Sequence, residues 1–103
     1  MSTTIEVLAE PTRRRILDVL LDGPQPVGEL TSRLGLSQPG TSKHLRVLRE
    51  AGLVDVSPDG QRRVYRLRPE PLADLDAWLA PYRRLWTDAL DALERHLDSS
   101  EDQ

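Results

Sequence analysis

The fold turns on residues 35–54, Gly35-Leu-Ser-Gln-Pro-Gly-Thr-Ser-Lys-His-Leu-Arg-Val-Leu-Arg-Glu-Ala-Gly-Leu-Val54. Gly35-Leu36-Ser37 is a three-residue break. Ser37 suits the N-cap of a following helix, since its hydroxyl can accept from an N–H that the first turn leaves unpaired. Thr41, Leu45 and Leu48 then recur at i, i+4 and i+7 and line one helix face. At about 100° per residue, Pro39, Lys43, Arg46 and Val47 project to the opposite side, flanked by Gln38, Ser42 and Arg49. One face of this helix is apolar and the other polar and basic.

Immediately upstream, Val27, Leu30 and Leu34 repeat at three and four and predict a short helix that stops at Gly35, with Leu36 placed to touch back on it. Helix, tight turn and second helix make a helix-turn-helix, a motif whose second helix can enter a DNA major groove. Gln38 and Arg46 offer bidentate groups to base edges, Ser42 donates or accepts, and Lys43 reaches phosphates. Pro39 and Gly40 place no bulk at the helix start, which permits close approach to a nucleic acid. His44 lies beside the apolar stripe and reads as a packed or phosphate-bonding histidine. An ordinary solvated face is the alternative reading of the helix pair alone.

Downstream, Ala51-Gly52-Leu53 ends the helix and Val54-Asp55-Val56 alternates as a strand. Pro58-Asp59-Gly60 signals a turn, and Arg63-Val64-Tyr65-Arg66-Leu67 alternates again with Tyr65 and Leu67 on one face. Two strands joined at Asp-Gly read as a hairpin, and Arg62 and Arg63 follow its tip. A basic hairpin after a helix-turn-helix is a wing, able to touch a flanking minor groove or the backbone. Charge supports this: residues 31–68 carry eight basic and three acidic side chains, net +5, between segments of net −2 and −6.

The flanks complete the outline. A short helix over Ile5–Ala9 must stop before Pro11, and a second, Pro11 to Leu21, places Ile16, Leu17, Leu20 and Leu21 on one face until Asp22-Gly23-Pro24 ends it. Leu72, Leu75, Leu79, Tyr82, Trp86, Leu90, Leu93 and Leu97 follow at spacings of three or four. The stripe keeps phase across Pro81, which fits one kinked helix or two abutting in register. Part of it closes the core. The remainder, with Trp78 and Trp86, is too much apolar surface to leave in water, so Ile5, Leu8, Leu79, Tyr82, Trp86, Leu90, Leu93 and Leu97 are expected to form a homodimer interface. An amphipathic helix lying on a membrane would need a Lys/Arg-rich polar side, and this one is acidic.

The 103 residues suffice for one domain. The expected fold class is mainly α with a small β-hairpin, a winged helix-turn-helix over residues 1–98, followed by a disordered polar tail at 99–103. Zero cysteines exclude a disulfide framework, Cys-ligated zinc and a thiol nucleophile. The start lacks the basic-then-apolar pattern of a signal peptide, and the expected location is the cytoplasm.

The stretch Glu29-Leu30 … Leu34-Gly-Leu-Ser-Gln-Pro-Gly-Thr-Ser-Lys-His-Leu-Arg-Val-Leu-Arg-Glu-Ala-Gly-Leu-Val54 resembles the signature of ArsR/SmtB-type winged-helix repressors. Leu8-Ala-Glu-Pro-Thr-Arg-Arg-Arg-Ile-Leu17 and Gly60 to Leu67 are similar to that family as well, so the likeness spans residues 5–67 and, more loosely, the last helix. The resemblance implies a homodimeric repressor that binds a pseudo-palindromic operator in double-stranded DNA and lets go when an effector binds. By position it places Gln38, Gly40, Ser42, Lys43, His44 and Arg46 at the DNA and Arg62 and Arg63 in the wing.

Departures from the family's pattern bear on mechanism. Members that sense soft metals carry cysteines on the helix corresponding to residues 28–34, where this chain has none. Members that sense zinc pair Asp and His on the last helix, where this chain has His96 near Asp91, Glu94 and Asp98. Those acids read more simply as a solvated face, so neither metal nor cofactor is expected, and a metal-sensing repressor built on two copies of His96 is the lesser alternative. No Gly-rich phosphate loop or Ser/His/Asp arrangement suggests an enzyme. A winged helix used for protein contacts is the competing reading.

Overall fold

The computed structural model describes residues 2–101 and, within them, no side chains for Ser2, Ser100 and Glu101. Five helices and three short strands follow in the order α1 (Ser2–Leu8), α2 (Pro11–Leu20), β1 (Gln25–Pro26), α3 (Val27–Leu34), α4 (Gln38–Glu50), β2 (Val54–Asp59), β3 (Arg62–Leu67) and α5 (Glu70–Glu101). The sheet is antiparallel with order β1-β3-β2. The chain is a winged helix-turn-helix.

Local chemistry accounts for the boundaries. Glu10, held extended ahead of Pro11, caps α2 by accepting from the Thr12 N–H at 3.1 Å. That hydrogen bond first, with Coulombic help from His44 and Arg13, holds the Glu10 carboxyl below its usual value. Gly35 ends α3 in the left-handed region at φ 67°, a conformation that strains any residue with a Cβ. The Leu36 N–H then reaches back to the Thr31 carbonyl at 3.2 Å, and the Leu36 side chain packs on the core as expected.

The core sits where α2, α3 and α4 meet the first residues of β2. Ile16, Leu30, Leu45, Leu48 and Leu53 are fully buried there, and Val54 nearly so. Thr41 is buried among them, its hydroxyl donating to the Ser37 carbonyl at 2.9 Å.

Three arginines consecutive in sequence each tie one helix to another. Arg13 donates to the Val7 carbonyl at 3.3 Å, Arg14 to Leu8 at 2.7 Å and Ala9 at 3.3 Å, and Arg15 to Leu34 at 3.3 Å. These carbonyls belong to the open C-terminal ends of α1 and α3, which a cationic donor suits on both hydrogen-bond and dipole grounds.

Several expectations need correction. Leu21 is 71% exposed, because α2 ends at Leu20 and the chain turns away toward Gly23. Val47 is half-buried against the core rather than on the outer face of α4, since it adjoins Leu48 and the core wraps past the stripe. The hairpin loop is Gly60-Gln61, not Asp-Gly: the ladder continues to Asp59↔Arg62, and Gly60 takes the positive φ of 65° at the first loop position. The strand pair Gln25↔Tyr65 and Pro26↔Val64 has no periodicity to announce it in two residues. α5 is one helix through Pro81, the first of the two arrangements expected, but it runs to Glu101, so residues 99–101 of the expected tail are helical, while 102–103 lie outside the described residues.

Leu45→Ala should lower the free energy of urea unfolding by roughly 2–5 kcal/mol through the cavity it leaves, whereas Leu21→Ala should change it by less than about 0.5 kcal/mol.

Candidate nucleic-acid interface

Ser37 fixes the start of α4. Extended at φ −72° and ψ 154°, it accepts from the Gly40 N–H at 3.1 Å. A Cβ on Gly40 would stand only 3.0 Å from the Ser37 Oγ, so the glycine protects the cap whatever it also permits on the outside. With the start set and Thr41, Leu45 and Leu48 buried, the opposite face is committed outward. Gln38, Ser42, Lys43, Arg46 and Arg49 are all exposed.

Two surfaces gather these residues. An open groove of about 720 Å³ runs between the first turns of α3 and α4 and the hairpin; Gln38 and Ser42 line one wall and Gln61, Arg62 and Arg63 the other. Glu29 is the one acid in its lining. A shallower hollow on α4 is bordered by Pro39, Ser42, Lys43 and Arg46. Ser42 belongs to both, so the outer residues of α4 and those of the hairpin border one continuous surface. Gly40 lines neither, being occupied with the cap, and neither does His44. His44 is half-buried toward α2, where its Nδ1 accepts from the Arg13 Nε–H at 3.3 Å.

The hairpin's charges are unequal in availability. Arg62 pairs with Asp59 at 3.3 Å, Arg66 with Asp55 at 2.9 Å, and Arg68 with both Asp55 (3.2 Å) and Glu70 (3.4 Å). The Glu70 partner first, then Asp55, raises the Arg68 pKa; the Glu70 carboxyl is lowered by its own backbone N–H and then by Arg68. Among the described residues no ion pair reaches Lys43, Arg46, Arg49 or Arg63. Arg49 and Gln61, which line this region, are not among the residues that the sequence assigns to DNA. The three-residue step from Arg46 to Arg49 on one helix was the available signal for the first; nothing signalled the second.

The residues expected at a dimer interface lie apart from this surface. Leu8 and Leu79 are half-buried, with Leu8 packed on the core, while Ile5, Tyr82, Trp86, Leu90, Leu93 and Leu97 are exposed. Leu85, not selected from the sequence, is exposed beside them. Among the described residues no group of three or more His, Cys, Asp or Glu could hold a metal ion. No helix of the described residues is long and apolar enough to cross a membrane.

A helix-turn-helix with a basic outer face, continued by a groove into an arginine-bearing hairpin, defines a winged-helix transcriptional regulator. Residues 10–56 match the family model described as bacterial regulatory protein, arsR family, and the chain belongs to that family. It is 45% identical over 97 residues to the HTH-type transcriptional regulator Rv2034 of Mycobacterium tuberculosis, covering 94% of this chain and 88% of that one. It is 32% identical over 79 residues to the transcriptional repressor SdpR of Bacillus subtilis, covering 77% and 88%. A solution structure of a homodimeric winged helix-turn-helix DNA-binding domain, Mb0332 of Mycobacterium bovis, superposes with a TM-score of 0.66 at 29% identity, covering 81% of this chain and 77% of that one.

Ser37→Ala should cost roughly 0.5–2 kcal/mol of stability in urea unfolding, the usual worth of a side-chain N-cap.

Proposed function

We propose that the chain acts as a homodimeric repressor that reads a pseudo-palindromic operator in double-stranded DNA with α4 and grips the flanking backbone with the β2–β3 wing. The observation that carries the reading is the outward face of α4. Ser42, Lys43 and Arg46 stand exposed opposite the buried Thr41, Leu45 and Leu48, with no ion pair on either cation among the described residues.

Dimerisation is supported by the shape of α5. At about 1.5 Å per residue its 32 residues span roughly 48 Å. The chain's radius of gyration is 18.9 Å, against about 13 Å for a compact domain of this length. The excess is the distal part of α5, which carries Trp86, 49% exposed, and Leu90, 61% exposed, away from the body. A second copy placing its α1 and α5 against the same stripe would bury this surface, and the two-fold relation would repeat the recognition helix on one side of the duplex. Half-sites would then lie about 34–36 Å apart. Occupancy of a promoter by such a dimer blocks transcription. An effector releases it only by favouring a dimer whose recognition helices are wrongly spaced. A DNA-binding regulator of this kind works in the cytoplasm.

Arg46→Ala should lose about 1–3 kcal/mol on the operator and relax base preference, with little change on random duplex; equal losses on both would remove Arg46 from base reading. In sedimentation equilibrium at micromolar concentration the wild type should run as a dimer and the Trp86→Asp, Leu90→Asp double variant as a monomer. A monomeric wild type would overturn the dimer.

A further inference from the structure

The hairpin neutralises its arginines with one exception. In the β2–β3 register Asp59 stands opposite Arg62 and Asp55 opposite Arg66, and both arginines form ion pairs with those partners. The residue opposite Arg63 is Pro58, whose side chain can accept nothing. Strand alternation puts Arg63 on the face shared by Tyr65 and Leu67, which pack on the core, so it lies on the helix side of the wing. There it meets Arg49, from the last turn of α4, across a cleft of about 350 Å³ lined by Arg49, Val56, Ser57, Pro58 and Arg63. The Ser57 Oγ already accepts from Arg66 at 3.4 Å. No carboxylate lines the cleft, and among the described residues neither arginine has an ion-pair partner.

Two like charges line one cleft that no carboxylate lines, and an anion seated between them would offset their mutual repulsion. We propose that Arg49 and Arg63 form a two-armed clamp for a single DNA backbone phosphate. The site is distinct from the base-reading residues toward the start of α4. The proposal rests on the reading of the chain as a DNA-binding protein. A phosphodiester suits the pair because guanidinium groups match its oxygens in paired, charge-assisted hydrogen bonds. From Ser42 to Arg49 the helix advances about 10 Å, so the clamped phosphate lies beyond the bases that Gln38 and Ser42 can reach. The clamp fixes the angle between recognition helix and wing on the duplex.

The test measures operator affinity against salt for the wild type, Arg49→Ala, Arg63→Ala, the double variant, and Arg62→Ala as a control of equal formal charge. Circular dichroism confirms folding, which these exposed positions should leave intact. Each single clamp variant should weaken binding roughly ten-fold or more. The double variant should flatten the log–log salt slope by about 1.8, the worth of one phosphate in each of two half-sites, and Arg62→Ala should do less than either. A duplex series with single neutral methylphosphonate linkages should show one position per half-site whose sensitivity vanishes both in Arg49→Ala and in Arg63→Ala. A slope change worth two phosphates per half-site, an unchanged slope, or sensitivity that survives the variants would overturn the clamp while leaving DNA binding intact. Saturable binding of inorganic phosphate, followed by NMR shifts at Arg49 and Arg63 and unaccompanied by a methylphosphonate effect, would assign the cleft to a free anion and overturn it equally. A wild type that binds no duplex would overturn the functional reading together with the clamp.

Discussion

Burial of Thr41, Leu45 and Leu48 is the constraint from which the rest follows. One stripe of α4 occupies the centre of the core, so the helix can neither rotate nor slide without opening cavities, and interiors packed to crystal-like density resist that. Its outer face is positioned as a by-product. Ser37 sets where the helix begins and Gly35 the angle at which α3 hands over to it. The wing is tied to the same core through Leu53 just ahead of one strand, Val54 on it, and Tyr65 and Leu67 on the other. Helix and hairpin therefore share one rigid reference, which lets residues as distant in sequence as Ser42 and Arg63 border a common groove.

Arginine serves three purposes here, and charge alone does not separate them. Arg13, Arg14 and Arg15 close helix ends by donating to backbone carbonyls. Arg62, Arg66 and Arg68 are held in exposed ion pairs, each of small energetic worth but each lowering the hairpin's external field. Arg46, Arg49 and Arg63 have no ion pair among the described residues. The net +5 of residues 31–68 already subtracts Asp55 and Asp59, and among the described residues its cations without an ion pair lie on α4 and the inner side of the wing.

Much of this was legible in the sequence because it rests on local rules. The apolar stripe, the N-cap at Ser37, the left-handed stop at Gly35 and the extended residue before Pro11 are set by neighbours within a few positions, and all stand where expected. What sequence reading missed depends on contacts between distant segments. Val47 and Leu21 exchange their expected environments because burial is decided by what packs across from a helix, not by its own period. The register that sets Pro58 opposite Arg63 depends on the loop being Gly60-Gln61, a one-residue difference that reassigns cross-strand neighbours. Likewise, no local rule says that three successive arginines point at carbonyls 5 to 19 positions away.

The length of α5 has a consequence for supply. Helices in water owe most of their stability to what they pack against, and the outer half of this one has little of its own chain beside it. In a paired molecule the order of that half depends on how many copies are present, through mass action. If synthesis slackened, dissociated copies would open there first and offer an unfolding end to cellular proteases. Abundance would then be self-steepening: scarcity hastens removal, and a gene under such control switches over a narrower range of dosage than binding by a fixed dimer would give.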